Sequence, residues 1–161
     1  MSSEAESATA GFLVWRLSMK WRVAVDRAVA PLGLTHAQYA LLGSLYGMGR
    51  SGRRPSQREL ADHVGLEALY VSKLARTLEA GGLVTRSRDP KDPRALQVTL
   101  TEQGHEVTRR AVEVVQGLLD QLLEPLGGQT GQRAQRFTHE LATLLDAPLD
   151  PHVTNDEEQR T

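Results

Sequence analysis

Side chains suited to binding a polyanion are concentrated in the middle of the chain. Residues 50–94 hold ten Lys or Arg and six Asp or Glu, a net charge of +4, whereas residues 95–161 hold five Lys or Arg and eleven Asp or Glu, a net charge of −6. Such a basic segment can bind phosphates through its cationic side chains and through the free amides of helix N-termini. Surface ion pairing explains the charges alone equally well, so the interpretation depends on the elements that carry them.

The spacing of apolar residues predicts those elements. We predict helices over about 11–31, 36–48, 56–63, 67–81, 101–123 and 129–146, and strands over 83–88 and 95–100. Thr35 with Gln38, and Ser56 with Glu59, have the spacing of capping boxes that begin two of the helices. The Gly- and Arg-rich segment 47–55 is predicted to be a loop. The fold class is therefore mainly α with a small β-wing, in which a winged helix-turn-helix lobe is joined to a helical dimerisation region.

The helices at 56–63 and 67–81 have the residue types of a helix-turn-helix. Ala61 is small where the two helices must touch, Gly65 permits a left-handed turn, and Val71 and Leu74 face the first helix. A helical hairpin in another fold is the alternative. The strand pair that follows directly favours the helix-turn-helix.

The second of these helices has an outward face that suits a DNA major groove. Leu69 and Tyr70 can touch thymine methyl groups, while Lys73 or Arg76 can pair with guanine or a phosphate. Surface charge at i,i+3 spacing and a partly buried Tyr70 ring are the alternatives. The predicted reading residues are Ala68, Leu69, Tyr70, Ser72, Lys73 and Arg76.

The strand pair forms the predicted wing, with a polar tip between residues 88 and 95. Arg94 is the candidate for insertion into a minor groove, where the negative potential is enhanced. Asp92, two residues earlier, is expected to hold that guanidinium extended, and Arg86 is also predicted to bind DNA. A simple hairpin with internal salt bridges is the alternative.

The loop before the first helix of the helix-turn-helix is the candidate for phosphate contacts. Ser56 and Gln57 lie at a helix N-terminus, and Arg53 and Arg54 precede it. Contacts of this kind position a protein on DNA without reading its sequence.

Other classes of function have little support in the sequence. The chain has no cysteine, and its five histidines are scattered without a metal-binding or catalytic spacing. We therefore expect no enzyme activity, no metal and no cofactor. The polar N-terminus does not resemble a signal peptide, and no apolar run approaches the roughly 18 residues needed to span a membrane, so a cytoplasmic location without membrane contact is expected.

The terminal helices are predicted to form a homodimer. They carry apolar residues on more than one stripe, which a lone chain would leave exposed. These residues are Phe12, Leu13, Val14, Leu17 and Met19 near one end and Leu119, Leu123, Leu126 and Leu149 near the other. We expect a disordered 1–10, one domain over 11–146 and a flexible 147–161; within the domain, 11–34 and 105–146 dimerise and 35–104 form the DNA-binding lobe.

Three short motifs resemble those of the MarR family of bacterial transcriptional regulators, and the similarity covers roughly residues 34–124. The family patterns are Leu-Glu-x-x-Gly-Leu-Val-x-Arg, Asp-x-x-Asp-x-Arg and Leu-Thr-x-x-Gly. They are matched by Leu78, Glu79, Gly82, Leu83, Val84 and Arg86, by Asp89, Asp92 and Arg94, and by Leu100, Thr101 and Gly104. Two departures are the apolar Ala68-Leu69-Tyr70 step, where relatives carry small or polar residues, and Pro93, where Gly is more common.

The resemblance implies a sequence-specific regulator of double-stranded DNA. Repression is expected over activation, because a compact DNA-reading dimer most simply acts by blocking the polymerase. The resemblance also implies an obligate homodimer on a pseudo-palindromic operator, with the helix at 67–81 as reader and Arg94 in the minor groove. Many members of that family bind a small aromatic or anionic effector, for which Trp15, Trp21, His36 and Tyr39 are the candidate contacts here, although the residues themselves favour core or dimer roles for these four. The competing function is a winged-helix protein–protein interaction module that does not bind DNA.

Overall fold

The computed structural model describes residues 8–149, which divide into one compact unit that extends to Leu118 and another that begins at Leu119. The helices are α1 (Ala10–Val29), α2 (His36–Arg50), α3 (Gln57–Val64), α4 (Ala68–Ala80), α5 (Glu102–Leu123) and α6 (Gln132–Asp146). The strands are β1 (Val84–Arg88) and β2 (Leu96–Leu100), and single 3-10 turns follow α1 and α5. The element order is the predicted one. No helix of the described part is long and apolar enough to cross a lipid bilayer.

Helix α1 is capped by Thr9, which lies within the segment 1–10 that was predicted to be disordered. The Thr9 hydroxyl accepts the amide N–H of Phe12 at 3.3 Å, so the helix begins at Ala10. Of the predicted disordered N-terminus and flexible tail, residues 1–7 and 150–161 lie outside the described residues.

Helix α2 is longer than predicted, because segment 47–55 is not a loop throughout. The helix continues to Arg50, and Met48 is buried. Met48 lies three residues after the buried Leu45 and so extends the inward stripe of the helix. Burying that side chain offsets the helix cost of Gly47 and Gly49, about 1 kcal/mol each. The loop proper begins at Ser51.

The helix-turn-helix is built as its residue types predicted. Gly65 ends α3 in the left-handed conformation, at φ 69°, and its N–H donates to the carbonyl of Ala61. The inward residues Val71, Leu74, Ala75 and Leu78 of α4 are all buried, as are Leu60 and Ala61 of α3. The outward face of α4 is therefore fixed by the packing of its inward one.

The wing is an antiparallel pair in which Val84 is opposite Leu100 and Arg88 is opposite Leu96. The loop before α3 joins its edge, since the amide of Val98 donates to the carbonyl of Pro55 at 3.1 Å and Ser56 forms a bridge with Gln97. The candidate phosphate-binding loop is thus attached to the wing.

Thr101 and Gly104 hold the first turn of α5 against the turn that precedes β1. The Thr101 hydroxyl accepts the amide N–H of Gly104 at 2.9 Å and donates to the carbonyl of Gly82 at 2.6 Å. A Cβ on Gly104 would lie only 1.9 Å from the carbonyl oxygen of Leu83. Only glycine allows the first turn of α5 to pack this closely on the turn that precedes β1.

The second unit holds the end of α5 and all of α6. Leu123 and Ala134 are buried within the chain, at 7% and 0% exposure. The prediction that Leu123 is an exposed dimer residue is therefore wrong, because the chain covers it. Leu144, Leu145 and Leu149 are exposed.

Candidate nucleic-acid interface

The N-terminus of α3 is a complete capping box. The Ser56 hydroxyl accepts the amide N–H of Glu59 at 3.2 Å, and the amide of Ser56 donates to the Glu59 carboxylate at 2.7 Å. Hydrogen bonding from Ser56 to the Glu59 carboxylate, first from the backbone N–H and second from the side chain, holds the pKa of Glu59 below its ordinary value. Ser56 is 9% exposed, so its side chain serves first as the cap.

Groups suited to phosphate remain beside that cap. The amides of Gln57 and Arg58 stand in the first turn of α3, where the helix itself provides no carbonyl acceptor. Arg53 and Arg54 are exposed in the preceding loop. Backbone amides at a helix start and two guanidinium groups on one short segment form an arrangement that binds anions.

The outward face of α4 begins with apolar side chains. Leu69 is 72% exposed and Tyr70 46% exposed, and Ala68 and Lys73 are exposed as well. Ser72 is only partly exposed. The Arg76 Nε–H points to the carbonyl of Ser72 at 3.4 Å, so this guanidinium lies along its own helix. The structure thus brings all six predicted reading residues onto one helix.

Arg86 is engaged within the lobe. Its Nε–H and one terminal N–H donate to the two carboxylate oxygens of Glu79, at 3.1 and 3.2 Å, and its other terminal nitrogen donates to the side-chain oxygen of Gln57 at 3.3 Å. The hydrogen bonds from Arg86 hold the pKa of Glu79 below its ordinary value. Arg86 therefore links the end of α4, strand β1 and the start of α3.

The spacing of the motif residues contains a local signal for part of this link. Glu79 and Arg86 are both motif positions, seven residues apart, on either side of the Gly81-Gly82 turn. A turn of this kind brings the end of a helix beside the strand that follows it. The third partner, Gln57, is 29 residues from Arg86 and has no local signal.

At the wing tip, Asp92 has a different partner from the one predicted. Its carboxylate accepts the backbone N–H of Arg94 at 3.0 Å, and Asp89 accepts the backbone N–H of Lys91 at 2.8 Å. Among the described residues, ion pairs join Arg86 to Glu79 and Arg109 to Glu106 and Glu113, and none involves Asp92. Asp92 therefore shapes the backbone turn instead of holding the guanidinium, and Arg94 is exposed.

The four predicted effector contacts are not brought together. Tyr39 lines an open cavity of about 720 Å³ between α2, the end of α3 and α5, and burial raises its pKa. Trp15 is 57% exposed and stacks on Phe12, while Trp21 packs against the apolar core. The pKa of His36 is lowered, by burial first and by nearby Arg22 second. Within residues 8–149, no cluster of three or more His, Asp or Glu could hold a metal ion.

Comparisons with known proteins agree with this geometry. A family model described as the MarR family matches residues 32–95. The uncharacterized HTH-type transcriptional regulator YdcH of Bacillus subtilis is 37% identical over 106 residues, which cover 66% of this chain and 72% of the relative. The HTH-type transcriptional repressor Rv2887 of Mycobacterium tuberculosis is 29% identical over 141 residues, which cover 86% of this chain and 97% of the relative.

Solved structures share the fold. The structure of Rv2887 in complex with p-aminosalicylic acid aligns with a TM-score of 0.64 over 85% of this chain and 98% of that one, at 29% identity. The structure of CouR from Rhodococcus jostii bound to p-coumaroyl-CoA aligns with a TM-score of 0.75 over 89% of this chain and 96% of that one, at 26% identity. With the helix-turn-helix, the wing and the three motifs in place, this chain belongs to the MarR family of winged helix-turn-helix transcriptional regulators.

Proposed function

We propose that this MarR-family DNA-binding regulator is a repressor that occupies a pseudo-palindromic operator as a homodimer and is released by a small ligand. The observation that carries the proposal is one lobe with three attached DNA-facing features. These are the exposed first turn of α4, the exposed Arg94 of the wing, and the loop with Arg53 and Arg54 that is hydrogen-bonded to β2.

In this proposal each feature has a separate role on DNA. Helix α4 lies in the major groove, and Arg94 enters the neighbouring minor groove. Arg53, Arg54 and the first amides of α3 contact phosphates, which fixes the position of the lobe. Arg86 and Gln57 act from inside the lobe, because their mutual hydrogen bond keeps the start of α3 and the wing in register.

The homodimer is supported by the apolar surface of the terminal helices. Phe12, Leu13 and Val14 of α1 are each about half exposed, and Leu144 and Leu145 of α6 are 62% and 86% exposed. Apolar faces of this kind are characteristic of interfaces rather than of a monomer's surface. A two-fold dimer presents two identical lobes, which is why we propose an operator with two half-sites about one DNA turn apart.

Repression is proposed because Rv2887, which is similar over nearly its whole length, is a transcriptional repressor. A bound dimer can block a promoter without any further contact with the polymerase. The proposal places the protein in the cytoplasm with the chromosome that carries its operator, and it assigns the protein no enzymatic activity.

The effector is proposed to be a small aromatic carboxylate or a related anion. Two similar proteins have been solved with p-aminosalicylic acid and with p-coumaroyl-CoA. In this chain the cavity beside Tyr39 has room for an aromatic ring, and Arg50 and Arg53 supply positive charge at its margin. Trp15, Trp21 and His36 do not line that cavity, so we propose that Tyr39 alone among the four contacts the ligand there.

The test is binding of the full chain to the DNA upstream of its own gene across a range of salt concentrations. Contacts with six or more phosphates would weaken binding by about 10³-fold or more between 50 and 200 mM salt. No binding at low salt would favour the protein–protein module instead. The same assay with added p-aminosalicylate tests whether this ligand releases the protein from DNA. A Tyr39→Phe variant then tests whether the Tyr39 hydroxyl contributes to that release.

A further inference from the structure

The first turn of α4 offers DNA an apolar contact surface. Among the described large apolar side chains, only Leu145 and Leu149 are more exposed than Leu69. Leu69 lies on the face opposite the buried Val71 and Leu74, and Tyr70, which is 46% exposed, lies at the edge of that face, one turn before Leu74. The inward packing of α4 therefore holds Leu69 outward, away from the core, and leaves Tyr70 about half exposed beside it.

The hydrogen-bonding side chains farther along α4 contact their own helix. The Nε–H of Arg76 points to the carbonyl of Ser72 at 3.4 Å, and the Thr77 hydroxyl donates to the carbonyl of Lys73 at 3.2 Å. Lys73 is exposed, and it lies four residues from Leu69 and three from Tyr70. These three side chains share one patch of the helix surface.

Base edges in the major groove carry one apolar group, the 5-methyl of thymine. The N-terminal residues of a recognition helix are the ones that reach base edges. An apolar first turn can therefore select a base by burying that methyl, whereas it gives a cytosine or guanine edge nothing in exchange for lost water.

We propose that Leu69 and Tyr70 recognise thymine methyl groups in each operator half-site, so that thymine is selected by apolar contact and Lys73 adds a phosphate or guanine contact beside it. The proposal rests on the proposed function, because it requires α4 to lie in the major groove. The inference predicts thymine at the operator positions beneath the first turn of α4, whereas the sequence motifs alone predict no particular base there.

Deoxyuridine provides the test, because it differs from thymidine only by the absent methyl. Once the bound site is mapped by footprinting, each thymine is replaced by uracil in both half-sites, and the affinity of the full chain is measured at fixed salt. Removing one buried methyl should weaken binding about fourfold, or about fifteenfold when both half-sites lose it. At least one position in each half-site should respond.

Protein variants assign the effect to its side chain. In the Leu69→Ala or Tyr70→Ala protein, affinity for the thymine site should fall, and the difference between thymine and uracil should disappear at the position that the lost side chain contacts. Lys73→Ala is the matched control. It should weaken binding to the thymine-containing and the uracil-containing DNA equally, so that the ratio of the two affinities is unchanged. Because Leu69 is largely exposed, Leu69→Ala should unfold at the same temperature as the original protein.

The outcomes separate the inference from the function beneath it. Failure to bind any upstream DNA at low salt overturns the proposed function. Salt-dependent binding with no uracil substitution changing affinity by more than twofold overturns methyl recognition and leaves the regulator intact. A thymine-to-uracil ratio that persists in both alanine variants also overturns the inference, since another group must then contact the methyl.

Discussion

Asp92 illustrates how a single residue can be placed correctly in sequence and assigned the wrong partner. Its position two residues before Arg94 suggested an ion pair with the guanidinium, but the carboxylate accepts the backbone N–H of Arg94. Aspartate commonly bonds a backbone amide two residues on, and the prolines on either side of Lys91-Asp92 restrict the turn further. The wing tip is thus shaped through its backbone, and its arginine is left available for DNA.

This difference gives a prediction at the residue scale. Asp92→Asn keeps an oxygen acceptor for the amide of Arg94 and removes a negative charge near DNA, so operator affinity should equal or exceed that of the original protein. Asp92→Ala removes the acceptor and should weaken binding a few-fold, by about 1 kcal/mol. Fluorescence anisotropy at one salt concentration measures both.

The Arg94→Ala variant gives a reference value for the operator affinities of the two Asp92 variants. It removes the proposed minor-groove contact and should weaken binding on the order of tenfold, or about 1.4 kcal/mol. If Asp92→Asn reduced operator affinity as strongly as Asp92→Ala, the carboxylate would act through its charge. Unchanged affinity in Arg94→Ala would remove the wing from the binding mechanism.

At the scale of elements, local signals predicted most of the fold. Apolar spacing and two capping boxes located the helices to within about three residues, because both signals act over one or two turns. The end of α2 was missed because glycine content indicated a loop, whereas burial of Met48 depends on tertiary packing. The contact of Gln57 with Arg86 was missed for the same reason, since no local rule connects residues that far apart.

The close packing of α5 on the turn that precedes β1 gives a stability prediction. Gly104→Ala places a Cβ 1.9 Å from the carbonyl oxygen of Leu83, and backbone at both ends of the contact cannot yield as a side chain would. We expect a loss of about 3 kcal/mol or more in the free energy of unfolding, measured by urea denaturation. The wing should also lose its position, so DNA binding should fall further than stability alone explains.

Gly117 provides the matched control on the same helix. Nothing lies within 4 Å of a Cβ at that position, so Gly117→Ala should stabilise the protein by up to about 1 kcal/mol through helix propensity. Equal effects of the two substitutions would contradict the close packing at Gly104.

Two glutamates couple the helix-turn-helix to pH. Hydrogen bonds from Ser56 and from Arg86 hold the pKa values of Glu59 and Glu79 below the ordinary 4.5. A carboxylate with a depressed folded-state pKa stabilises the protein above its unfolded pKa, and that contribution is lost as pH falls through the folded value. The free energy of unfolding should therefore fall as pH is lowered from about 5 toward 3.

A variant with Glu59→Gln and Glu79→Gln tests the assignment. Glutamine keeps an oxygen acceptor for the capping box but does not titrate, so this protein should be less stable at pH 7 and should lose less stability on acidification. If the free energy of unfolding fell equally in the two proteins between pH 6 and 3, groups other than Glu59 and Glu79 would be responsible for the pH dependence.

At the scale of the whole molecule, the exposed apolar residues of α6 are left uncovered by the described part of the chain, which favours their burial in a homodimer. Leu144 and Leu145 are 62% and 86% exposed on the last turn of the helix, and together they offer a hydrophobic surface that water penalises. Glutamate at both positions should convert the homodimer to a monomer, seen by sedimentation velocity. Because both residues are exposed in the single chain, the monomer should retain its helical circular dichroism.

The same variant should separate half-site binding from operator binding. A monomeric lobe still carries α4 and the wing, but it loses the effective concentration that joins a second half-site to the first, which is worth a factor of 10² or more. Affinity for the full operator should therefore fall to that for an isolated half-site. Gln135→Glu, an exposed polar position of α6, is the control and should leave both the assembly and operator affinity unchanged. A dimer that survives both glutamates, or a monomer that binds the full operator as tightly as before, would contradict an architecture in which two identical lobes read two half-sites together.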